Sequence, residues 1–138
     1  AFQKAQSISK QYPSDLVIGS DTIVVINNQI LGKPKDYNDA VRMLSLLQNN
    51  THQVMTGVSL IKGEQLDTFV DIADVTFHQM TKEQIDEYLN TDKPFDKAGA
   101  YGIQDPHANF VKQINGDYYT IMGLPKEQLQ QHIKQFIN

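Results

Sequence analysis

The chain has 138 residues, 40% of them hydrophobic, and a formal net charge of −4, which suits one globular domain that buries its core without staples. It contains no cysteine, which excludes disulfides, zinc–thiolate sites and a cysteine nucleophile and fits a reducing compartment such as the cytoplasm. No Lys/Arg run offers a nucleic-acid footprint, and the longest apolar stretch, Leu16–Ile26, is broken by Asp21 and falls far short of a membrane span.

Ala1-Phe2-Gln3-Lys4-Ala5 lacks an initiator Met and reads as the middle of a helix, so the natural protein is expected to continue upstream. Phe2–Gln11 is helical by the spacing of Phe2, Ala5 and Ile8, with Pro13 as its stop. Leu16–Ile26, rich in Val and Ile, reads as a strand buried on both faces. Asn27-Asn28 then turns the chain into a short hairpin partner, Gln29–Leu31. Asp36 or Asn38 caps a helix running to about Gln48, with Ala40, Val41, Leu44 and Leu47 as its apolar stripe.

His52–Ile61 and Asp67–Gln79 read as a hairpin turned by Lys62-Gly63-Glu64. Thr81 and Gln84 form a capping box ahead of a helix that buries Ile85, Tyr88 and Leu89. Asp92–Pro106 matches no regular element. Asn109–Ile114 and Tyr118–Ile121 are expected to form a further hairpin around Asn115-Gly116. Pro125 opens a final helix with Leu129, Ile133 and Phe136 inward. Helices interspersed with strands in this order point to an α/β sandwich around a mixed sheet.

Asp21 is the most informative position. A carboxylate inside an apolar strand costs several kcal/mol unless it is paired, hydrogen-bonded or metal-bound. It is compatible with capping a turn as well as with chemistry. Thr22 beside it offers a hydroxyl to a ligand. Lys33, between Gly32 and Pro34, is held extended and presents a point charge suited to phosphate. The segment Asp96–Gln104 carries Gly99 and Gly102, which allow close backbone approach, and Gln104, which can donate and accept at a base edge. It is neither a Walker sequence nor a dinucleotide fingerprint. The four histidines show no ligand spacing, Ser20 has no evident base, and Asp71 and Asp74 fall on opposite faces of a strand.

Together these patches are more specific than any one alone. Ile18-Gly19-Ser20-Asp21-Thr22, Leu31-Gly32-Lys33-Pro34, Thr56-Gly57-Val58, Asp96-Lys97-Ala98-Gly99-Ala100-Tyr101-Gly102-Ile103-Gln104 and Met122-Gly123-Leu124-Pro125 follow in one order. That order and spacing closely resemble the Maf family over nearly the whole chain, Lys4-Ala5 included. The resemblance implies an α/β fold like that of the inosine triphosphatases, a mixed, mostly antiparallel twisted sheet flanked by helices, with two lobes around a cleft. It implies a nucleoside triphosphate pyrophosphatase assisted by a divalent cation, Mg2+ or Mn2+. In that reading Asp21 is the catalytic carboxylate and a metal ligand, Lys4 and Lys33 contact phosphates, and Gln104 helps read the base. The Gly-Ile-Gln form resembles the branch acting on dTTP and UTP.

The family also implies a cytoplasmic enzyme, commonly a homodimer, with neither nucleic acid nor membrane as partner. Its opening strand and Ser-x-Ser-Pro-Arg-Arg phosphate loop are absent from residues 1–138, which are therefore expected to be a single domain lacking that segment. Where the family usually follows the Gln with Gly, Gln104 is followed by Asp105-Pro106-His107, a change expected to alter the loop's exit. A non-catalytic, nucleotide-binding regulator of septum formation is the alternative, and a purine-directed inosine triphosphatase fits the motifs less well.

Overall fold

A computed structural model describes residues 2–12 and 14–137, with the side chains of Phe2, Lys4 and Ile137 outside the described set. Pro13, the expected helix stop, also lies outside the described residues. Five strands form one sheet in the order β2-β1-β3-β4-β5, and every pairing is antiparallel. They are β1 (Val17–Ile26), β2 (Gln29–Leu31), β3 (Thr51–Lys62), β4 (Gln65–Phe77) and β5 (Val111–Asn115). The helices are α1 (Phe2–Gln11), α2 (Tyr37–Leu47), α3 (Lys82–Asp92), α4 (Tyr118–Met122) and α5 (Lys126–Ile137). No helix among the described residues is long and apolar enough to cross a membrane.

Local signals account for most of these elements. Asn27 and Asn28 both adopt positive φ, which two-residue hairpin turns require, and so bring β2 back beside β1. The Asp36 carboxylate caps α2 by accepting from the Asp39 amide at 2.8 Å. Thr81 and Gln84 form the reciprocal capping box of α3, and Ile85, Tyr88 and Leu89 are buried.

Two expectations are corrected. β1 is not buried on both faces: Val24 and Ile26 are buried, whereas Ile18 and Asp21 are exposed. Its second neighbour, β2, begins pairing only at Val24, so the first half of β1 presents an edge with no described partner on that side. Asp21 therefore does not bear the cost of a carboxylate in an apolar interior. Tyr118–Met122, expected to be a strand, is the short helix α4. Asp117 accepts from the Tyr119 amide at 2.8 Å, and Gly123, at φ 110°, ends the helix in a left-handed cap. Asn115-Gly116 is therefore no hairpin turn. Gly116 lies so close to β4 that a Cβ would meet Ala73 Cβ at 2.8 Å.

Strand register sorts the side chains. Residues 52, 54, 56, 58 and 60 of β3 share one face with residues 20, 22, 24 and 26 of β1 and with residues 67, 69, 71, 73 and 75 of β4. A large apolar cluster covers one end of this face, joining Val24, Val54 and Val75 to Leu44, Leu47, Leu89 and Tyr101. A smaller one, Val58 and Leu60 with Leu129 of α5, covers the other end. Between them the polar row Thr22–Thr56–Asp71 crosses the sheet.

His52 sits inside the larger cluster, edge-on to Phe77 and Tyr101, with Nε2 2.7 Å from the Tyr101 hydroxyl. Its Nδ1 is buried and has no partner among the described residues. Burial pushes its pKa down from 6.5 to about 4. The unfolded chain binds this proton first, so the stability contribution is whole above pH 6.5 and is lost as pH falls toward 4. The expected loss is about 3 kcal/mol across that window. Urea titrations at pH 7 and 4.5 should show it, and a His52→Gln variant should lose most of the slope. A slope unchanged in the variant would assign the acid sensitivity to other groups.

Candidate active site

A cavity of about 720 Å³ opens beside the polar row and is lined by Asp21, Thr22, Lys33, Lys97, Gln104 and Asp105 among others. That volume suits a nucleotide-sized ligand. Every residue singled out from the sequence reaches this one cavity except Lys4, whose side chain lies outside the described residues.

Strand alternation sends Asp21 and Thr22 to opposite faces of β1, yet both line the cavity because it wraps the open edge of that strand. Across β3, Asp21 is in register with Gly57, where a Cβ would meet nothing within 4 Å. The exposed carboxylate is thus unobstructed from that side. Its Oδ1 accepts from the Thr22 amide at 3.0 Å, and no other hydrogen bond to it occurs among the described residues. One oxygen orients the group, and the second is available to a ligand.

Lys33 reaches the cavity from the loop after β2. Gly99 N–H donates to Gly32 O at 3.1 Å, fastening this loop to the glycine-containing segment. Lys33 is exposed, lines the cavity and makes no ion pair among the described residues. Gly99 itself, at φ 73°, packs directly on β1: a Cβ there would stand 2.9 Å from Val24 Cγ2. Ala100 follows with φ 63° and is fully buried. A left-handed alanine costs about 1–2 kcal/mol, and such strain persists where surrounding contacts fix the chain.

The polar row has a defined hydrogen-bond direction. Thr56 Oγ1 donates to Thr120 O at 2.7 Å, so the 2.9 Å bond between Thr22 and Thr56 is donated by Thr22. Thr120 Oγ1 donates in turn to the Asp71 carboxylate. These bonds seat α4 on the sheet, and its Ile121, Met122 and the following Gly123 form one wall of the cavity.

Gln104 occupies the tip of a β-turn closed by the Asp105 N–H donating to Gly102 O at 3.0 Å. Tyr88 of α3 holds the turn from behind. Its hydroxyl donates to Asp105 Oδ2 at 2.6 Å and accepts from the Gly102 amide at 3.0 Å. Lys97 Nζ lies 3.5 Å from Asp105 Oδ1. Burial, and then the bond to Asp105, push the Tyr88 hydroxyl well above the usual tyrosine range, so it remains a donor at neutral pH. The residues after Gln104 are equally ordered: the Ala108 N–H donates to Asp105 O at 3.0 Å, and the His107 N–H donates to Asp92 Oδ2 at 3.0 Å.

Sequence reading missed Tyr88 as anything but core, and missed Lys97, Asp105, Thr56, Thr120 and Asp71 as parts of the site. Asp105 carried a signal as the residue standing where a glycine was expected, and Thr56 and Lys97 lay inside quoted motifs; Tyr88, Thr120 and Asp71 carried none.

An exposed carboxylate, a lysine without an ion pair among the described residues and an amide-bearing turn thus surround one cavity of this α/β protein. The sequence profile of the Maf-like protein family matches residues 1–136, and the chain belongs to that family. Among curated relatives, the dTTP/UTP pyrophosphatase of Bacillus cytotoxicus is 48% identical over 136 residues, 99% of this chain and 71% of the relative. That of Bacillus cereus is 46% identical over the same shares. The dTTP/UTP pyrophosphatase of Acholeplasma laidlawii is 43% identical, covering 99% of this chain and 72% of its own length.

Proposed function

We propose that the chain is a nucleoside triphosphate pyrophosphatase that cleaves dTTP and UTP between the α- and β-phosphates, releasing the monophosphate and pyrophosphate. The carrying observation is that Asp21, Lys33 and Gln104, from separate parts of the sequence, line one cavity. Relatives 43–48% identical, named dTTP/UTP pyrophosphatase, supply the substrate class.

The geometry supports a role for each residue. Asp21, with one oxygen anchored, uses the other to orient the attacking water and accept its proton. Lys33 pairs with the phosphate charge of the bound triphosphate. Lys4 is assigned the same role by family resemblance. Gln104 offers both a donor and an acceptor, the pair needed to meet a pyrimidine carbonyl and its adjacent ring N–H.

No group of three or more His, Asp or Glu side chains suited to hold an ion occurs among the described residues. The described residues alone therefore build no preformed cage for a metal. Mg2+ characteristically takes only one or two carboxylates and completes its shell with water and substrate phosphates. Asp21, exposed and with an available oxygen, fits that pattern and would hold the ion by way of the water it orients. A bound divalent cation supplies charge neutralisation at the phosphates.

The test is pyrophosphate release by the full-length protein from dTTP, UTP, CTP and GTP with Mg2+ or Mn2+. Turnover of none of them would end this reading. Lys33→Met should raise KM for the preferred triphosphate about 10- to 100-fold, the range of one charge-assisted hydrogen bond. Its kcat should change less, and a KM unaffected by the substitution would remove Lys33 from the phosphate site.

A further inference from the structure

Resting on that reading, we infer that Tyr88 and Asp105 are positioning residues for base selection, acting through the turn that carries Gln104. A single hydroxyl bonds both ends of this four-residue turn: it accepts from the first residue's amide and donates to the last residue's carboxylate. The central residues, Ile103 and Gln104, are the ones projected at the turn's tip, and both line the cavity.

Tyr88 is itself well fixed. It is buried on α3, its ring packs 4.8 Å from that of Phe110, and the capping box at Thr81 sets the start of its helix. The opposite side of the turn is closed by Lys97 on Asp105 Oδ1, so the Asp105 carboxylate is engaged through both oxygens. Gly102 fits because it has no side chain: a Cβ would meet Asp105 Oδ1 at 2.8 Å and Lys97 Cε at 2.8 Å.

An amide side chain discriminates between bases only when its carbonyl and NH2 ends are held in register with the base edge. The backbone bond of the turn sets its curvature, whereas the Tyr88–Asp105 clamp sets where the tip stands relative to the cavity. Asp105 thus ties the turn to α3, an attachment that glycine at this position has no side chain to make.

The experiment compares wild type, Tyr88→Phe, Asp105→Ala and Asp105→Asn in the full-length protein. Values of kcat and KM are measured for dTTP, UTP, CTP and GTP and for inorganic tripolyphosphate, which has no base to read. Tyr88→Phe and Asp105→Ala should raise KM for the preferred pyrimidine nucleotide about tenfold, the scale of one lost hydrogen bond to a charged group. Preference over the rejected bases should fall by a similar factor, with kcat within about twofold and, for Tyr88→Phe, which touches neither the cavity nor Lys97, tripolyphosphate cleavage unchanged. Asp105→Asn keeps an acceptor for Tyr88 and should retain most of the selectivity.

Equal losses on every substrate, tripolyphosphate included, would reduce the clamp to a structural role and overturn the inference. Unchanged selectivity in both Tyr88→Phe and Asp105→Ala would overturn it as well, while leaving the pyrophosphatase assignment standing. Wild-type protein that cleaves no nucleotide would instead overturn the assignment and the inference with it.

Discussion

Asp21→Asn should lower kcat on the preferred nucleoside triphosphate about a thousandfold, within the range expected for loss of a general base. The substitution is a clean one. Asparagine retains an oxygen that can accept from the Thr22 amide, as Asp21 Oδ1 does now at 3.0 Å, so the side chain keeps its orientation. The position is exposed and faces Gly57, so neither packing nor a buried charge changes. What disappears is the negative charge and the proton-accepting oxygen. If Asp21 acts chiefly in the transition state, kcat and kcat/KM should fall together, and the melting temperature should match that of wild type. Retention of more than about a tenth of wild-type kcat would remove Asp21 from the chemistry, since even weak general-base contributions exceed that.

Gly99→Ala should be strongly destabilising for the gain of a single methyl. Two costs coincide there. The backbone stands at φ 73°, where an L-residue loses about 1–2 kcal/mol. The new Cβ would also lie 2.9 Å from Val24 Cγ2, 3.2 Å from its Cβ and 3.3 Å from its Cγ1. Val24 is 2% exposed and belongs to the main apolar cluster, so it has little room to retreat. Overpacking of this kind adds about 1–3 kcal/mol, for a total of about 2–5 kcal/mol. The bond from Gly99 N–H to Gly32 O ties the loop carrying Lys33 to this segment, so activity should fall alongside stability. Chemical denaturation of the variant measures the first effect and its KM the second. Wild-type stability would mean that the segment relaxes away from β1 without cost.

How much of this was legible beforehand depended on how local each signal was. The hairpin between β3 and β4, the capping box of α3 and the cap of α2 are encoded within a few residues, and each stands where the sequence placed it. The strand expected at Tyr118–Ile121 failed because Tyr, Thr and Ile favour strands only as a surface-packing tendency. The flanking Asp117 and Gly123, both strong helix boundaries, prevailed. The burial of β1 was misjudged because its Val/Ile run conceals where its second neighbour starts, which depends on the length of β2.

The site divides along the same line. Asp21, Lys33 and Gln104 were visible through a family resemblance that fixes residue types at known intervals. The groups behind them were not. Thr56 meets Thr120 across 64 residues, Thr120 meets Asp71 across 49, and Tyr88 meets Asp105 across 17. No periodicity or motif relates such pairs. Only folding brings them within bonding distance.

The direction of the threonine row carries a further consequence for what the cavity recognises. With its proton committed to Thr56, the Thr22 hydroxyl presents only lone pairs to a ligand. Lone pairs repel phosphate oxygens and welcome donors. In the proposed nucleotide complex Thr22 is therefore suited to a hydroxyl donor or to the divalent cation rather than to a bare phosphate oxygen.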